Sequence, residues 1–311
     1  MVAHLLTVLL VKVAIQKKIL ENRNNKVLAI DRDKEVYLYA KKLEKNYKNR
    51  FFFKNIKFSE INNLKFNKTD LKAVIFDLGY SFSQIKNSTK GLSFNSKGKL
   101  NMRMGINDFS ANEVISNMSE ENLIKIFKTF GEEKYSKKIV RKIIEFRKTQ
   151  EIKTENLVRI IESVKKYKNQ KINNSTQIFQ AIRIFVNKEI TELINGLINA
   201  FNLIPVGGII AVVTFHSLED RIVKFFFKNY SENKNLSRYI PNKNDQIKCF
   251  DLKIKKPIIP SINELKINPP SRSAKLRYAI KINDKCEFGE FKKKFKYLTD
   301  VENLRVKKWK N

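Results

Sequence analysis

Two acidic residues of this chain directly follow short runs of apolar residues. Asp77 comes after residues 74–76 and precedes Gly79, and Asp31 comes after residues 27–30. Such runs are typical of buried parallel strands, and ligands bind at the carboxyl edge of open α/β sheets. A carboxylate there can accept a hydrogen bond from a ribose hydroxyl or take part in a reaction. We therefore predict that Asp77 takes part in chemistry, whereas Asp31 is equally consistent with an acidic helix start favoured by the helix dipole.

Another predicted strand, residues 209–215, is followed by a short polar segment that contains His216 and Glu219. These two residues would lie at the same sheet edge as Asp77, which makes them secondary catalytic candidates. The alternative is structural, because a histidine at a helix start and a glutamate favoured by the helix dipole are both common. Ser217 is predicted to cap the helix that follows, with Asp220 as its partner in a capping box.

The chain carries a large excess of positive charge. Its 311 residues include 63 Lys and Arg against 31 Asp and Glu, a formal net charge of +32, while 42% are hydrophobic. This composition predicts a globular protein with a full-sized core, and the charge suits a polyanionic partner such as RNA. A compositional preference for Lys, Asn and Ile is an alternative origin for part of the excess.

The sequence argues against export, membrane insertion and a metal site. Its two cysteines, Cys249 and Cys286, predict a reducing compartment, no disulfide and a cytoplasmic location. The apolar stretch near the start is interrupted by Lys12 and has no small-residue cleavage site, and no run reaches the ~20 apolar residues of a membrane span. With His4 and His216 as the only histidines, we expect no His/Cys zinc cluster.

The apolar pattern of the remaining chain predicts an α/β fold with an inserted helical subdomain. Between residues 100 and 178 apolar residues recur with helical spacing among many charges. The insertion is either a basic lid that faces RNA or a group of helices with solvated polar faces. Residues 1–99 and 179–311 would form the two parts of the α/β domain. They include a long amphipathic helix over 179–201, a last strand over 274–282 and a basic tail over 288–311.

Six stretches resemble the MraW family. They are FDLGYSFSQ (76–84), KGLSF (90–94), LNMRM (100–104), FQAIRIFVN (179–187), FHSLEDRIVK (215–224) and NPPSRSAKLR (268–277). Members of that family are S-adenosylmethionine-dependent methyltransferases that modify N4 of a cytidine in 16S ribosomal RNA of the small subunit. The resemblance therefore implies a class I (Rossmann-like) methyltransferase sheet with a helical insertion, S-adenosylmethionine as cofactor, and 16S ribosomal RNA or the small ribosomal subunit as partner.

The resemblance also implies roles for individual residues. By the family pattern, Asp31, Phe58, Asp77 and Gln84 would contact S-adenosylmethionine. Six basic residues of the matching stretches would bind RNA phosphates: Lys90, Arg103, Arg183, Arg272, Lys275 and Arg277. The family usually has Arg at the position of Lys90 and Ser-Ser-Pro-Gln where this chain has Ser81-Phe82-Ser83-Gln84. Asn101, Gly105 and Pro270 are further departures, at positions where the family often has charged residues.

The start of the chain departs most from the family pattern. The family opens with a strand, an acidic residue and a Gly-x-Gly-Gly loop, whose glycines allow the backbone to approach the cofactor. None of these features is recognisable before Lys26, so the sequence predicts that the first strand and the glycine loop are missing or out of frame. A protein that lacked the loop could instead be a non-catalytic relic that still binds RNA or the ribosome.

A frameshift would explain this departure. Back-translation of residues 2–18, read one base earlier, permits GGTFVDCTFGQGGYSKK, which contains a strand, an acidic residue and a Gly-Gly loop in the expected order. The slip would lie in the adenine run that encodes Lys17 and Lys18. Our hypothesis is that residues 1–17 are translated out of frame, either through a sequencing error or through a real frameshift. The rival interpretation is a genuine, unusual amino terminus.

Overall fold

The computed structural model describes residues 3–8, 13–64, 70–79, 90–96, 98–105, 107–165, 173–232 and 247–306. Seven strands form one sheet in the order β3-β2-β1-β4-β5-β7-β6, in which β7 runs antiparallel to its neighbours β5 and β6 and the other pairs are parallel. The strands are β1 (Ala3–Val8), β2 (Asn25–Ile30), β3 (Phe51–Lys54), β4 (Leu71–Asp77), β5 (Ile209–Thr214), β6 (Phe250–Asp251) and β7 (Lys275–Lys281).

The first strand is present, so the alternative that it is missing is wrong, whereas the alternative that residues 1–17 are out of frame stays a prediction. β1 pairs with β2 through Ala3 to Val8 and with β4 on its other side, which places it near the middle of the sheet. Pairing of this kind uses backbone hydrogen bonds and an extended segment, and it requires neither an acidic residue nor a glycine. Residues 9–12, between β1 and the next described segment, lie outside the described part of the chain.

Helices connect the strands and form most of the middle of the chain. Two flank the first strands, and most of the others follow one another between β4 and β5. They are α1 (Val13–Leu20), α2 (Tyr37–Asn46), α3 (Ala111–Asn117), α4 (Glu120–Gly131), α5 (Ser136–Phe146), α6 (Thr154–Val164), α7 (Thr176–Asn187), α8 (Glu189–Leu203), α9 (Ser217–Asn229), α10 (Ile262–Ile267) and α11 (Gly289–Glu302).

The chain divides into two compact units. The first comprises residues 1–79 and 192–295 and contains the whole sheet, and the second comprises residues 80–191 and 296–311. The second unit includes the predicted helical subdomain of residues 100–178 and extends beyond it on both sides. The exact domain boundaries stay a prediction.

The predicted single helix over residues 179–201 is two helices. Lys188 lies between α7 and α8 in the left-handed conformation, with φ of 50° and ψ of 41°. One residue of this kind ends a helix without shifting the apolar spacing enough to be visible in the sequence. The pattern that predicted one helix therefore continues across a sharp break in the backbone.

The end of the chain is also more ordered than predicted. Residues 288–311 were predicted as a basic tail, but α11 forms there and buries Phe291 and Phe295. Both rings contact Phe225 of α9, at centroid distances of 6.3 and 5.4 Å. The apolar residues at four-residue spacing give this lysine-rich segment a buried face.

Glu302, the last residue of α11, holds the first turn of α8. Its carboxylate accepts hydrogen bonds from the backbone N–H groups of Ile190 and Thr191, each at 2.8 Å, and from the Thr191 hydroxyl at 2.6 Å. Glu302 is 1% exposed, and burial raises its pKa to about 8 although these hydrogen bonds oppose the shift. When this carboxyl is protonated, its O–H can donate to the hydroxyl oxygen of Thr191, so the contact persists with its direction reversed.

Folding stability should therefore depend on the charge of Glu302. Because the pKa is higher in the folded state than the ordinary value of about 4.3, its contribution is complete below that value and is lost as the pH rises through 8. In urea unfolding between pH 5 and 8.5, Glu302→Gln should flatten the decline in stability by several kcal/mol, about 1.4 kcal/mol for each unit of pKa shift. Asp300→Asn, a change at an exposed residue of the same helix, is the matched control. Equal pH slopes for the parent and Glu302→Gln would contradict this prediction.

Cys249 and Cys286 form a disulfide, with their Cα atoms 6.2 Å apart. The prediction of no disulfide is therefore wrong. Cys249 immediately precedes β6 and Cys286 follows β7, and Phe250 of β6 pairs with Lys281 of β7. This antiparallel pairing brings together two cysteines that are far apart in the sequence.

Within the described residues, no helix is both long enough and apolar enough to cross a membrane.

Candidate active site

Two buried carboxylates flank the end of β1. Ile30 of β2 and Phe76 of β4 both pair with Val8, the last residue of β1, from opposite sides. Asp31 and Asp77 are the next residues along β2 and β4, so they lie on either side of the carboxyl end of the same central strand. They are 3% and 2% exposed. This is the sheet edge at which α/β proteins bind ligands.

Asp31 organises the turn after β2. Its Oδ1 atom accepts a hydrogen bond from the backbone N–H of Asp33 at 2.7 Å, and Asp33 in turn accepts from Glu35 at 3.1 Å to cap the short helix of residues 34–36. The amide of Asn55 also donates to the carbonyl oxygen of Asp31, at 2.7 Å. Asp33 therefore has the helix-start role that was the alternative for Asp31. Asp31 itself directly follows Ile30, the residue that pairs with the end of β1.

Asp33 and Asn55 were missed by the sequence analysis. Asp33 had a usable signal, since an acidic residue directly before a helix is a common N-cap. Asn55 had none, because its contact with Asp31 spans 24 positions.

Asp77 precedes a tight turn against the end of β5. The N–H of Leu78 donates to the carbonyl oxygen of Val213 at 3.1 Å, and Gly79 has a φ of +98°. A Cβ atom at Gly79 would lie 3.2 Å from the ring of Phe215. Glycine is therefore required on both conformational and steric grounds if this turn is to follow Asp77 closely.

Phe58 packs within the first unit beside β4. Its ring meets Phe76 edge to face at a centroid distance of 5.9 Å, and a Cβ atom at Gly196 would lie 2.5 Å from it. This packing fixes the segment after β3 at the carboxyl edge of the sheet. Gln84, the other residue that the resemblance assigns to the cofactor, lies outside the described residues.

His216 and Glu219 begin helix α9. His216 is the N-cap, and Nδ1 of its ring accepts the N–H of Glu219 at 3.4 Å. The Glu219 carboxylate accepts the N–H of Phe215 at 2.8 Å and lies 3.2 Å from the other ring nitrogen of His216. The predicted capping box of Ser217 and Asp220 is thus wrong by one residue. The carboxylate of Glu219 orders the turn that follows β5.

The residues predicted to bind phosphate differ in their accessibility. Arg183 is 7% exposed and makes a two-pronged ion pair with Glu189, at 2.8 and 2.9 Å. Lys90 is also buried. In contrast, Arg103 and Arg272 are exposed, and Lys275 is partly exposed. Only the exposed cations can reach a phosphate without a change of structure.

Arg277 and Lys275 come together on the same carboxylate. Nε of Arg277 lies 2.7 Å from Oδ1 of Asp220, and Nζ of Lys275 lies 3.2 Å from Oδ2. Partial burial alone would raise the pKa of Asp220, but the hydrogen bonds and charges of Arg277 and Lys275 lower it below its ordinary value. The carboxylate stays charged at neutral pH and ties β7 to the first turn of α9.

Residues 13–282 match the family described as the MraW methylase family. The chain belongs to this family. It is therefore a methyltransferase, and enzymes of the MraW type use S-adenosylmethionine as the methyl donor. The predicted class I methyltransferase fold is confirmed by this membership together with the strand order.

Several relatives are similar over most of their length. A protein of Ehrlichia canis is 42% identical over 273 residues, which cover 86% of this chain and 89% of the relative. A protein of Oceanobacillus iheyensis is 39% identical over 85% of this chain and 83% of its own, and one of Rickettsia akari is 38% identical over 86% and 88%. All three are named ribosomal RNA small subunit methyltransferase H. A solved structure from Clostridium thermocellum aligns over 90% of this chain and 89% of its own, with 13% identity and a TM-score of 0.39.

The residues around the end of β1 fit S-adenosylmethionine in part. Asp31 is a buried acceptor at the position where nucleotide-binding sheets contact ribose hydroxyls, and Asp77 supplies a second carboxylate on the other side of Val8. The first glycine of the chain, however, is Gly79, so the sequence has no glycine between β1 and α1. The match to the family also begins at residue 13, the first residue of α1.

Proposed function

We propose that this protein methylates the N4 amine of a cytidine in 16S ribosomal RNA of the small ribosomal subunit. Three observations support this substrate: the MraW membership, the names of the relatives and the net charge of +32. The observation that carries the proposed site is the pair Asp31 and Asp77 at the end of β1.

In the proposed reaction Asp77 holds the amine that receives the methyl group. The nitrogen is a weak nucleophile because its lone pair is delocalised into the cytosine ring, whereas S-adenosylmethionine supplies a methyl group already activated on a sulfonium. Asp77, with neighbouring carbonyl groups, accepts hydrogen bonds from the amine and keeps it oriented as its N–H bonds become more acidic. Such positioning can be worth roughly 7–11 kcal/mol. Asp31 would hold the ribose of the cofactor, and Phe58 and Gln84 would complete that part of the site.

His216 and Glu219 are assigned a supporting role in this proposal. Glu219 binds the N–H of Phe215, and Phe215 in turn packs beside Gly79 in the turn after Asp77. Their effect on the reaction would therefore be to fix the shape of this edge rather than to transfer a proton.

The RNA must present an unstacked base and be held by its phosphates. A cytosine in a helix has to leave its stack before an enzyme can reach its amine. Arg103 and Arg272 are the proposed phosphate contacts because their side chains are exposed, and Lys275, which is partly exposed, would contact a phosphate while it also pairs with Asp220. Arg183 and Arg277 would act indirectly, through Glu189 and Asp220. Binding would weaken steeply with salt, and we place the reaction in the cytoplasm, with the ribosome.

A second candidate function is that of a non-catalytic protein that binds RNA or the ribosome. The absence of any glycine before Gly79 favours it, because the family contacts its cofactor through a glycine loop in that region. The two candidates make the same prediction for RNA binding and opposite predictions for methyl transfer.

Methyl transfer to isolated small ribosomal subunits and to free 16S transcript decides between them. The RNA is incubated with the protein and labelled S-adenosylmethionine, digested to nucleosides and analysed by mass spectrometry. We expect the label in N4-methylcytidine. Label on another base, or at carbon 5 of cytidine, would contradict the proposed reaction, and RNA binding without incorporation would support the second candidate.

A further inference from the structure

A cleft of about 230 Å³ lies beside the last two strands of the sheet, within the first unit. It is formed by one face of α9, the segment that follows β6 and the outer part of β7. Its lining residues are Lys224, Phe227, Lys228, Glu232, Leu252, Ile254, Lys255, Arg277 and Tyr278.

The inner surface of the cleft is apolar and partly aromatic. Phe227 is buried, Tyr278 is partly exposed, and Ile254 is exposed at the opposite wall. The volume is below the roughly 300–1,000 Å³ of most small-molecule sites. The cleft therefore suits a single ring-sized group rather than a whole cofactor.

Ammonium groups surround this apolar surface. Lys228 and Lys255 both lie near Glu232, at 3.9 and 3.5 Å, so one carboxylate is shared between two cations. Lys224 is exposed, and within the described residues it has no ion pair. The rim thus has an excess of positive charge, with Lys224 available to a further anion.

Arg277 fixes the two walls relative to each other. It binds Asp220 of α9 and also donates from Nη1 to the carbonyl oxygen of Lys255 at 3.3 Å. Because its guanidinium is occupied on both sides, its role in the cleft is to position the walls rather than to bind an anion. This arrangement holds the cleft open between α9 and the segment after β6.

We propose that this cleft binds one unpaired nucleotide of the RNA substrate, with the base against Tyr278 and a phosphate at Lys224. A flat apolar surface with a cationic rim is the combination by which proteins bind single-stranded RNA. The inference rests on the proposed function for the identity of the polymer, but it concerns a site separate from the carboxylates at the end of β1.

The position of the cleft suits a nucleotide near the target. Ala211 of β5 pairs with Tyr278 on one side and with Ile75 on the other, and Ile75 is two residues before Asp77. Two strand spacings, about 10 Å, therefore separate Tyr278 from β4. One RNA strand can occupy both sites, and the cleft would fix the register of the strand while the cytosine is held elsewhere.

Binding of a fluorescein-labelled hexauridylate, followed by anisotropy at several salt concentrations, tests this site. Lys224→Ala should weaken binding severalfold and reduce the slope of log affinity against log salt by roughly 0.7, the value for one lost phosphate contact on a single strand. Tyr278→Leu should weaken binding roughly tenfold through lost stacking, whereas Tyr278→Phe should retain it.

Lys45→Ala is the matched control. Lys45 is an exposed lysine in the last turn of α2, which leads away from the carboxyl edge towards the start of β3, and its removal should leave the salt slope unchanged. Equal affinities and slopes for Lys224→Ala and Lys45→Ala would overturn the inference, and this comparison stands even if Tyr278→Leu fails to fold. Equally tight binding of hexaglutamate, with the same dependence on Lys224, would also overturn it.

Failure of this inference can be distinguished from failure of the proposed function. Binding of hexauridylate requires neither the glycine loop nor the methyl donor, and methyl incorporation is measured separately with the unaltered protein. Incorporation into cytidine together with no effect of Lys224→Ala would overturn the cleft alone. Loss of binding in Lys224→Ala without any incorporation would leave the cleft supported and contradict the methyltransferase reaction.

Discussion

Restoring the alternative reading frame over residues 2–18 should strengthen S-adenosylmethionine binding at least about 100-fold, which corresponds to roughly 3 kcal/mol. The alternative frame places glycines at positions 11, 13 and 14. β1 ends at Val8 and α1 begins at Val13, so the first of these glycines falls between the strand and the helix, and the other two replace the first two residues of α1. Without Cβ atoms the backbone of this segment can approach the cofactor closely. Calorimetric titration of both forms measures the difference.

Two controls separate the glycines from the other changes in that segment. A restored form in which the three glycines are replaced by alanine should lose most of the gain, because its strand and acidic residue are unchanged. Comparable binding by the chain as translated and by the restored form would mean that the glycine loop is dispensable here. The nucleotide sequence of the locus tests the origin separately: the frameshift explanation fails if no compatible second frame runs across these codons.

The strands that lead to Asp77 and His216 were predictable because buried parallel strands are continuous apolar runs. Residues 74–76 and 209–215 could hardly be placed elsewhere than in the centre of a sheet. Strand β1 was not predicted at residues 3–8 because the acidic residue and the glycine loop that accompany this strand in the family are absent there. The strand itself depends on backbone pairing with β2 and β4, which an apolar segment provides whatever follows it.

The partners of Asp220 and Glu302 could not be predicted, since they are distant from these carboxylates in the sequence. Arg277 and Asp220 are 57 positions apart, and Glu302 reaches Thr191 across 111. A basic residue in a family motif is equally compatible with a phosphate contact and with an internal carboxylate. Only the folded chain separates Arg277, which binds Asp220 and a backbone carbonyl group, from Arg272, which is exposed.

Asp77→Asn should lower the turnover number for methyl transfer by roughly 10²–10⁴-fold, the range for a positioned acid–base group. The amide has the shape of the carboxylate, so a residue that is 2% exposed can be replaced with little change in packing. The substitution removes the negative charge and replaces one acceptor oxygen by an NH2 group, which cannot accept a hydrogen bond from the amine. The rate is measured in the amino-terminal form that binds S-adenosylmethionine, with RNA and cofactor both saturating.

The cofactor affinity of the same variant decides what Asp77 does. If Asp77 holds the amine, the dissociation constant for S-adenosylmethionine stays close to the parent value while turnover falls. A dissociation constant that rises in proportion to the loss of activity would assign Asp77 to the cofactor instead, with neighbouring carbonyl groups left to hold the amine. Asp70→Asn, just before the amino end of the same strand, controls for charge loss and should change neither quantity. A turnover number of Asp77→Asn within a factor of a few of the parent value would contradict the proposed role of this carboxylate. The loss of its charge would then have almost no effect on the rate of methyl transfer.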